Sequence, residues 1–357
     1  MRMLKPVLRA LWLPGAWLPF TASAAVVLGA LYYHEGSETP LPPQVGNFPR
    51  VRELLAKQPP KEEFSFAVVG DARTSSTFEN IILQLREAAV DFVVLLGDFV
   101  HNATPEEHAH FRAECPEEYA LCCPMFLVAG NHDVHPVTFP VASFERDYGP
   151  TIFDFEYQDC LFVFLRILDR PWTNEDSLAY LRTLAARDLS SYRYRFAFMH
   201  IPPAVSPDVT ARPYAESDAV VELFAQLGID FAFAGDFHGY GRMQTAKTTF
   251  IVSGGGGSSL KQRAHGGFHH AFLVRVMENG ISERVLWQEH VSYFEDDIER
   301  LAIVHVYPWL SRHTALAALL VVLLGAAALA FTIRRIVRRR SPGNAAAANR
   351  SLSPRRT

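Results

Sequence analysis

The chain has 357 residues, 49% hydrophobic and 20% charged, with a formal net charge of −4. That composition excludes a disordered chain and leaves room for one large domain, or two small ones, plus membrane segments. The charge is uneven: residues 1–33 carry three basic groups and no acid, residues 306–357 carry nine arginines and no acid, and 34–305 is left at −16. An acidic body argues against nucleic acid as a partner, since a phosphate backbone needs clustered Lys and Arg.

The first element is the uncharged run ALWLPGAWLPFTASAAVVLGALYY at 10–33. It has the roughly 20 apolar residues that a membrane-crossing helix needs. Pro14 and Pro19 interrupt it as one straight helix. It reads either as an N-terminal anchor over 1–33 or as a signal peptide cleaved near Ala22-Ser23-Ala24. Residues 34–63, with the Pro-rich LPPQVGNFP (41–49), read as a linker.

Short apolar runs then recur, each closed by a polar loop. FSFAVVG (64–70) leads to DAR, VDFVVLLG (90–97) to DFVHN, and PMFLVAG (124–130) to NHD. YRFAFM (194–199) leads to His200, IDFAFAG (229–235) to DFHGYGR, and TTFIVSG (248–254) to GGGSSL. Their length and Val/Phe content predict strands buried on both faces. Helical patterns at 78–89, 177–189 and 216–228 lie between them, the last with Gly228 at its end, so the class is α/β. AFLVRVME and ISERVLWQEH, joined by Asn279-Gly280, predict a hairpin and a partly antiparallel sheet. The main domain is expected over 64–295 and a connector over 296–313. A second uncharged span follows at 314–333, and a basic tail at 334–357 opens with RRIVRRR (334–340). Lys and Arg flank both spans on the side away from the body. That predicts an integral membrane protein with both termini cytoplasmic and the body outside. For an exported body the four cysteines allow a bridge from Cys115 to Cys122 or Cys123; for a cytosolic one, reduced thiols.

Polar residues after buried strands are where α/β folds place their sites. Here five strand ends supply Asp71, Asp98, Asn131 with His132 and Asp133, His200, and Asp236 with His238. Carboxylate, carboxamide and imidazole together suit Mn, Fe or Zn, and the absence of Cys disfavours a structural zinc site. A carboxylate can bridge two metals ~3.5–4 Å apart, clamping a phosphoryl group and generating a hydroxide nucleophile.

The motifs read GDAR (70–73), GD (97–98), GNHD (130–133), MH (199–200) and GDFH (235–238). In order, spacing and strand context the series resembles the calcineurin-like metallophosphoesterase superfamily over roughly 64–290. GGGGSSL followed by FHHAFLV is similar to its purple-acid-phosphatase-like branch. The resemblance implies a four-layer α/β/β/α sandwich with mixed sheets, flanked here by two transmembrane helices. It implies one metal on Asp71, Asp98 and His238 and a second on Asp98, Asn131, His200 and Asp236, with Asp98 bridging. His132 resembles the general acid that protonates the leaving oxygen.

Three positions depart from that pattern. Arg73 stands where the family has a metal-ligating His, and a guanidinium offers no lone pair. Its readings are a bidentate grip on substrate phosphate, an ion pair with Asp71 or Asp236 at an altered site, or a site that no longer catalyses. Asp236 replaces the first His of the last motif but can still ligate. His101 replaces an Asp that backs the general acid in the protein phosphatase branch, leaving Asp133 as the candidate substitute. His108, His110, His135, His265, His269 and His270 read as surface or supporting residues, and Gly254–Gly257 as a tight turn rather than a phosphate cradle. The expected function is a membrane-anchored, metal-dependent phosphoesterase for a phosphomonoester, diester or pyrophosphate, with lipid or cell-envelope phosphates as candidate substrates. The alternative is a metal- or partner-binding module on the same fold.

Overall fold

The computed structural model describes residues 20, 21, 23, 24 and 40–340, except 117, 207–209, 211–213 and 262–265. The N-terminal span, His265 and the tail beyond 340 fall almost wholly outside the described residues. The chain divides into a body, Glu35–His305, and a unit made of the two chain ends, Met1–His34 and Val306–Thr357.

In the body the strands are β1 (Phe64–Val69), β2 (Phe92–Leu95), β3 (Met125–Leu127), β4 (Phe153–Tyr157), β5 (Cys160–Phe164), β6 (Tyr194–Phe198), β7 (Phe231–Ala234), β8 (Tyr240–Gln244), β9 (Thr249–Ser253), β10 (His269–Met277) and β11 (Gly280–Gln288). One sheet has the order β11-β10-β1-β2-β3 and the other β4-β5-β6-β7-β9-β8. Both mix parallel and antiparallel pairs. The expected hairpin is β10–β11, paired from His269↔Gln288 to Met277↔Gly280.

The inner faces meet in a core built largely of phenylalanine. Phe66 is central: the rings of Phe92, Phe162, Phe196, Phe198 and Phe233 lie 5.1–6.0 Å from it, mostly edge to face, the arrangement that aromatic quadrupoles favour. A second apolar cluster joins the first sheet to the helices Ser76–Ala88, Pro105–Glu114 and Val141–Tyr148. A third joins the other sheet to Glu175–Leu184 and Ser217–Leu227. The result is an α/β/β/α sandwich. Local signals set the helix starts: Ser75 and Thr104 accept from the N–H three residues on, each at 3.3 Å. Gly228, in the left-handed region at φ 65°, closes Ser217–Leu227.

Two expected boundaries move. Part of the stretch read as a linker is packed into the body. Asn47 donates to the Leu127 and Pro150 carbonyls and accepts from the Leu127 N–H, and the helix Pro49–Ala56 buries Val51 and Leu55. Proline content alone misled there, because Pro49 occupies the first turn of a helix, where it costs no hydrogen bond. The stretch read as a connector is helical: Phe294–Leu301, a π-helical turn Ala302–Val306, and Tyr307–Arg312. In the other unit, Thr314–Arg335 is apolar for 22 residues at a mean hydropathy of 2.7 and is long enough to cross a bilayer. It is the one such helix among the described residues. The four cysteines are free thiols and Cys115 is buried, so of the two readings for the cysteines it is the reduced one that the structure has.

Candidate functional site

The parallel strands β1, β2 and β3 of one sheet and β6 and β7 of the other end at the same place. Asp71, Arg73, Asp98, Asp236 and His238 all have left-handed backbone, with φ between 48° and 61°. Short polar side chains tolerate that region best, and each such residue still costs energy that the surroundings must outweigh. Asp133 supplies part of the compensation. Its Oδ2 accepts from the Asp98 and Gly130 N–H groups at 2.7 and 2.8 Å, and its Oδ1 from Phe99 and Val100 at 2.9 and 3.1 Å. Glycine is required where loops touch. A Cβ on Gly97 would lie 2.6 Å from His200 Nδ1, and one on Gly130 2.3 Å from the Asp98 amide nitrogen.

The two sheets are tied together here. The Gly70 N–H donates to the Ser253 carbonyl at 2.7 Å, and the Asp236 N–H donates to Asp71 Oδ2 at 2.9 Å. All six sequence-predicted ligand residues are thereby brought together. Asp71, Asp98, His200 and Asp236 are fully buried. His200 Nδ1 donates to the Leu96 carbonyl at 2.7 Å, so Nε2 is the ring nitrogen turned into the site, where it offers a lone pair once its proton is displaced. That Nε2 lies 3.0 Å from Asn131 Oδ1, 3.2 Å from Asp98 Oδ1 and 4.0 Å from Asp236 Oδ1. His238 repeats the pattern: Nδ1 donates to the Ser259 carbonyl at 2.9 Å, and Nε2 stands 3.3 Å from Asp71 Oδ1. One ligand atom from each of Asp71, Asp98 and His238 falls within 4.8 Å of the others.

Acceptors that converge in a buried place need a shared proton or a cation between them. Asp71 Oδ1 and Asp98 Oδ2 are buried without a hydrogen-bond partner, which fits ligation. The electrostatics agree. Burial pushes the His200 pKa down, but the carboxylates of Asp98, Asp71 and Asp236 outweigh it and hold the value up at about 9. Burial raises the Asp71 pKa. Burial also acts to raise that of Asp98, but the charges of His200, His132 and Arg73 prevail and lower it. Oxygen and imidazole donors without thiolate suit Mn, Fe or Zn.

His132 is aimed from the rim. Its backbone N–H donates to Asp98 Oδ1 at 2.9 Å and its Nδ1 donates to the His101 carbonyl. Nε2, 3.9 Å from Asp98 Oδ2, stays available. The partner behind His132 is thus a main-chain oxygen. Asp133, expected in that role, spends its carboxylate on four backbone N–H groups. Burial lowers the His101 pKa to about 4, so its ring is neutral near pH 7. Arg73 pairs with Asp98, Nη2 to Oδ2 at 3.5 Å, rather than with Asp71 or Asp236. Beside it opens a cavity of about 350 Å³ lined by Arg73, His101, Asn102, His132 and the segment Asp297–His305.

Sequence reasoning missed the last of these. Asp297, Arg300 and His305 fall in the stretch read as a connector, although Phe294, Ile298 and Leu301 at i, i+4 and i+7 were a legible helix signal. Three further histidines support structure. His108 bridges the Tyr148 hydroxyl and the Asp133 carbonyl, both at 2.9 Å, and His269 and His270 lie buried beside the glycine run. That run braces the β1 loop: the Gly256 N–H donates to the Gly70 carbonyl and the Ser258 N–H to that of Asp71, both at 2.8 Å. Those amides are occupied, which rules out a phosphate cradle built from them.

A family model for calcineurin-like phosphoesterases matches residues 44–240. No curated protein matches the chain in sequence. Among solved structures, GAP50, the anchor in the inner membrane complex of Plasmodium, is 12% identical; the match covers 69% of this chain and 96% of that one at a TM-score of 0.47. The purple acid phosphatase PPD1 from yellow lupin (Lupinus luteus) seeds is 15% identical, covering 68% of this chain and 56% of that one at 0.49. A dimetal phosphatase from Danio rerio is 14% identical, covering 64% and 97% at 0.47.

Proposed function

The chain belongs to the calcineurin-like phosphoesterase family, and on that premise we propose that it is a membrane-tethered, metal-dependent hydrolase of phosphate esters. The observation that carries this is the convergence of acceptor atoms from Asp71, Asp98, Asn131, His200, Asp236 and His238 beside a cavity lined by His132 and Arg73. Asp71, Asp98 and His238 would hold one divalent cation, and Asp98, Asn131, His200 and Asp236 a second; bound there, such ions would supply charge neutralisation for phosphoryl oxygens and a more acidic water.

The remaining work falls to the chain's own groups. The Arg73 guanidinium, next to Asp98 and exposed to the cavity, hydrogen-bonds phosphoryl oxygens and fixes the ester. His132, held through Nδ1 by the His101 carbonyl, delivers a proton from Nε2 to the leaving oxygen. Arg73 thus takes up substrate charge where the family pattern has a metal-ligating His. The body faces away from the cytoplasm, with both chain termini inside, by the placement of Lys and Arg around the two apolar segments.

Turnover of an aryl phosphate and an aryl diester by the full-length protein with Mn tests the reading, together with metal content. Two metals per chain and activity abolished by Asp98→Ala are expected; no turnover with any divalent metal would sink it. A second reading, a binding module, draws on the Arg73–Asp98 pair, which puts a fixed positive charge against the bridging carboxylate. It predicts at most one metal per chain. External protease should cut within 34–305 and spare the arginine-rich tail; the reverse pattern overturns the topology.

A further inference from the structure

The helix Phe294–Leu301 is fixed to the body at its start and faces the cavity on one side. Thr77 Oγ1 donates to the Val291 carbonyl and accepts from the Val291 N–H, both at 3.0 Å, and Ser76 Oγ donates to Asp296 Oδ2 at 2.6 Å. These bonds anchor it on the first turn of Ser76–Ala88. Asp297, Arg300 and Leu301 line the cavity with Arg73 and His132. Phe294, Ile298 and Leu301, one helical stripe at i, i+4 and i+7, are 77%, 50% and 56% exposed. Leu301 belongs to both sides, since it rims the cavity and ends the stripe.

A lone exposed apolar residue means nothing, whereas a stripe on an otherwise acidic helix marks a surface that something covers. The chain itself points to the occupant. Residues 302–313 lead directly from this helix into the apolar segment Thr314–Arg335. Trp309, exposed, lies on that short path, and tryptophan favours the membrane–water boundary. A helix this close in sequence to a span cannot leave the membrane surface by more than the reach of those residues.

We propose that Phe294, Ile298 and Leu301 seat this helix in the headgroup layer of the bilayer, and that the cavity takes its phosphate ester from a lipid of that surface. The substrate claim rests on the hydrolase reading above; the seating does not. The lining suits such a ligand: Arg73 and Arg300 with three imidazoles for the phosphate, and Leu301 and Val304 on the path of an apolar tail. Hydrolysis then breaks the bond between phosphorus and the lipid oxygen, water supplies the new oxygen on phosphorus, and His132 returns a proton to the lipid alcohol.

The test uses the full chain in phosphatidylcholine vesicles containing phosphatidic acid, with soluble p-nitrophenyl phosphate as the second substrate. The double variant Phe294→Gln/Ile298→Gln should lose about tenfold or more of its turnover on the vesicle lipid, by removal of the inserted apolar surface. Its turnover of the soluble ester should match wild type. Equal loss on both substrates, or on neither, overturns the proposal. A second measurement does not depend on catalysis. In vesicles of brominated phosphatidylcholine, Phe294→Trp should be quenched beyond wild type; no added quenching overturns the seating and leaves the stripe to a protein partner. Quenching without turnover of any phosphate by wild type supports the seating and sinks the hydrolase reading instead.

Discussion

The layer between the two sheets and the loops at the strand ends are made by the same segments of chain, and they obey opposite rules. Within β1, Phe66 sits among five aromatic rings with no exposed surface and no polar neighbour to satisfy. Two residues past Val69 the backbone is left-handed and a carboxylate is buried. The core contributes free energy through contact area and is indifferent to chemistry. The strand ends use some of that free energy to hold charges and backbone angles that would not persist alone. A sandwich of this kind separates stability from chemistry by a distance of a few residues.

That separation makes predictions, and the largest concerns chemistry without stability. His132→Ala should lower kcat by about 10²–10⁴-fold, the usual range for a lost acid or base. Its melting temperature should stay near wild type, because the side chain is at the rim and its Nδ1 bond is to an accessible loop. A large fall in melting temperature would mean that the rim carries stability after all. Phe66→Ala is the converse. It should cost about 3–5 kcal/mol of unfolding free energy by denaturant titration, with kcat of the folded fraction unchanged at low temperature. A kcat that falls with it would show that packing reaches the site.

Smaller effects sharpen the boundary. Glu79, Glu114 and Glu118 cluster with Asp296 and Glu299 on the far side of the helix Phe294–Leu301. Burial and mutual repulsion push the Glu114 pKa up to about 9 and that of Glu79 up to about 8. A carboxyl whose folded pKa is raised keeps its proton longer in the folded state, so stability falls as pH rises from 4.5 toward 9. Glu114→Gln should therefore raise the melting temperature by about 2–4 °C at pH 9 and by less at pH 5; an equal gain at both would count against repulsion as the cause. Ser75→Ala, which removes a helix cap beside the β1 loop, should cost about 1 kcal/mol by thermal denaturation.

Much of the candidate site is legible in the sequence because its residues lie just past apolar runs that end in Gly or Met, a local pattern: Asp71, Asp98, Asn131, His200 and Asp236 follow such a residue directly, and His238 stands two positions further on. What was not legible depends on long-range contact. Asp133 read as a possible partner for His132, yet it organises the β2 and β3 loops, and nothing local distinguishes the two roles. The glycine run was correctly read as structural, but its partner, the Asp71 loop, is more than 180 residues away in the chain. Residues 296–305 read as part of a connector because their importance lies in what they face. The sheet pattern was legible as far as strand existence, and the four-layer architecture came from family resemblance.

The pairing of β1 with β10 sets an order for biogenesis. β1 emerges among the first structured segments, but its antiparallel neighbour begins at His269, about two hundred residues later. Until then β1 has an open edge, and the glycine run that braces the Asp71 loop has not been made. A nascent chain on the ribosome or in a translocon therefore holds all six candidate ligand residues before the pairing that braces their loops exists. Metal loading should follow release of the chain, and a truncation before β10 should expose an aggregation-prone strand rather than yield a smaller working enzyme.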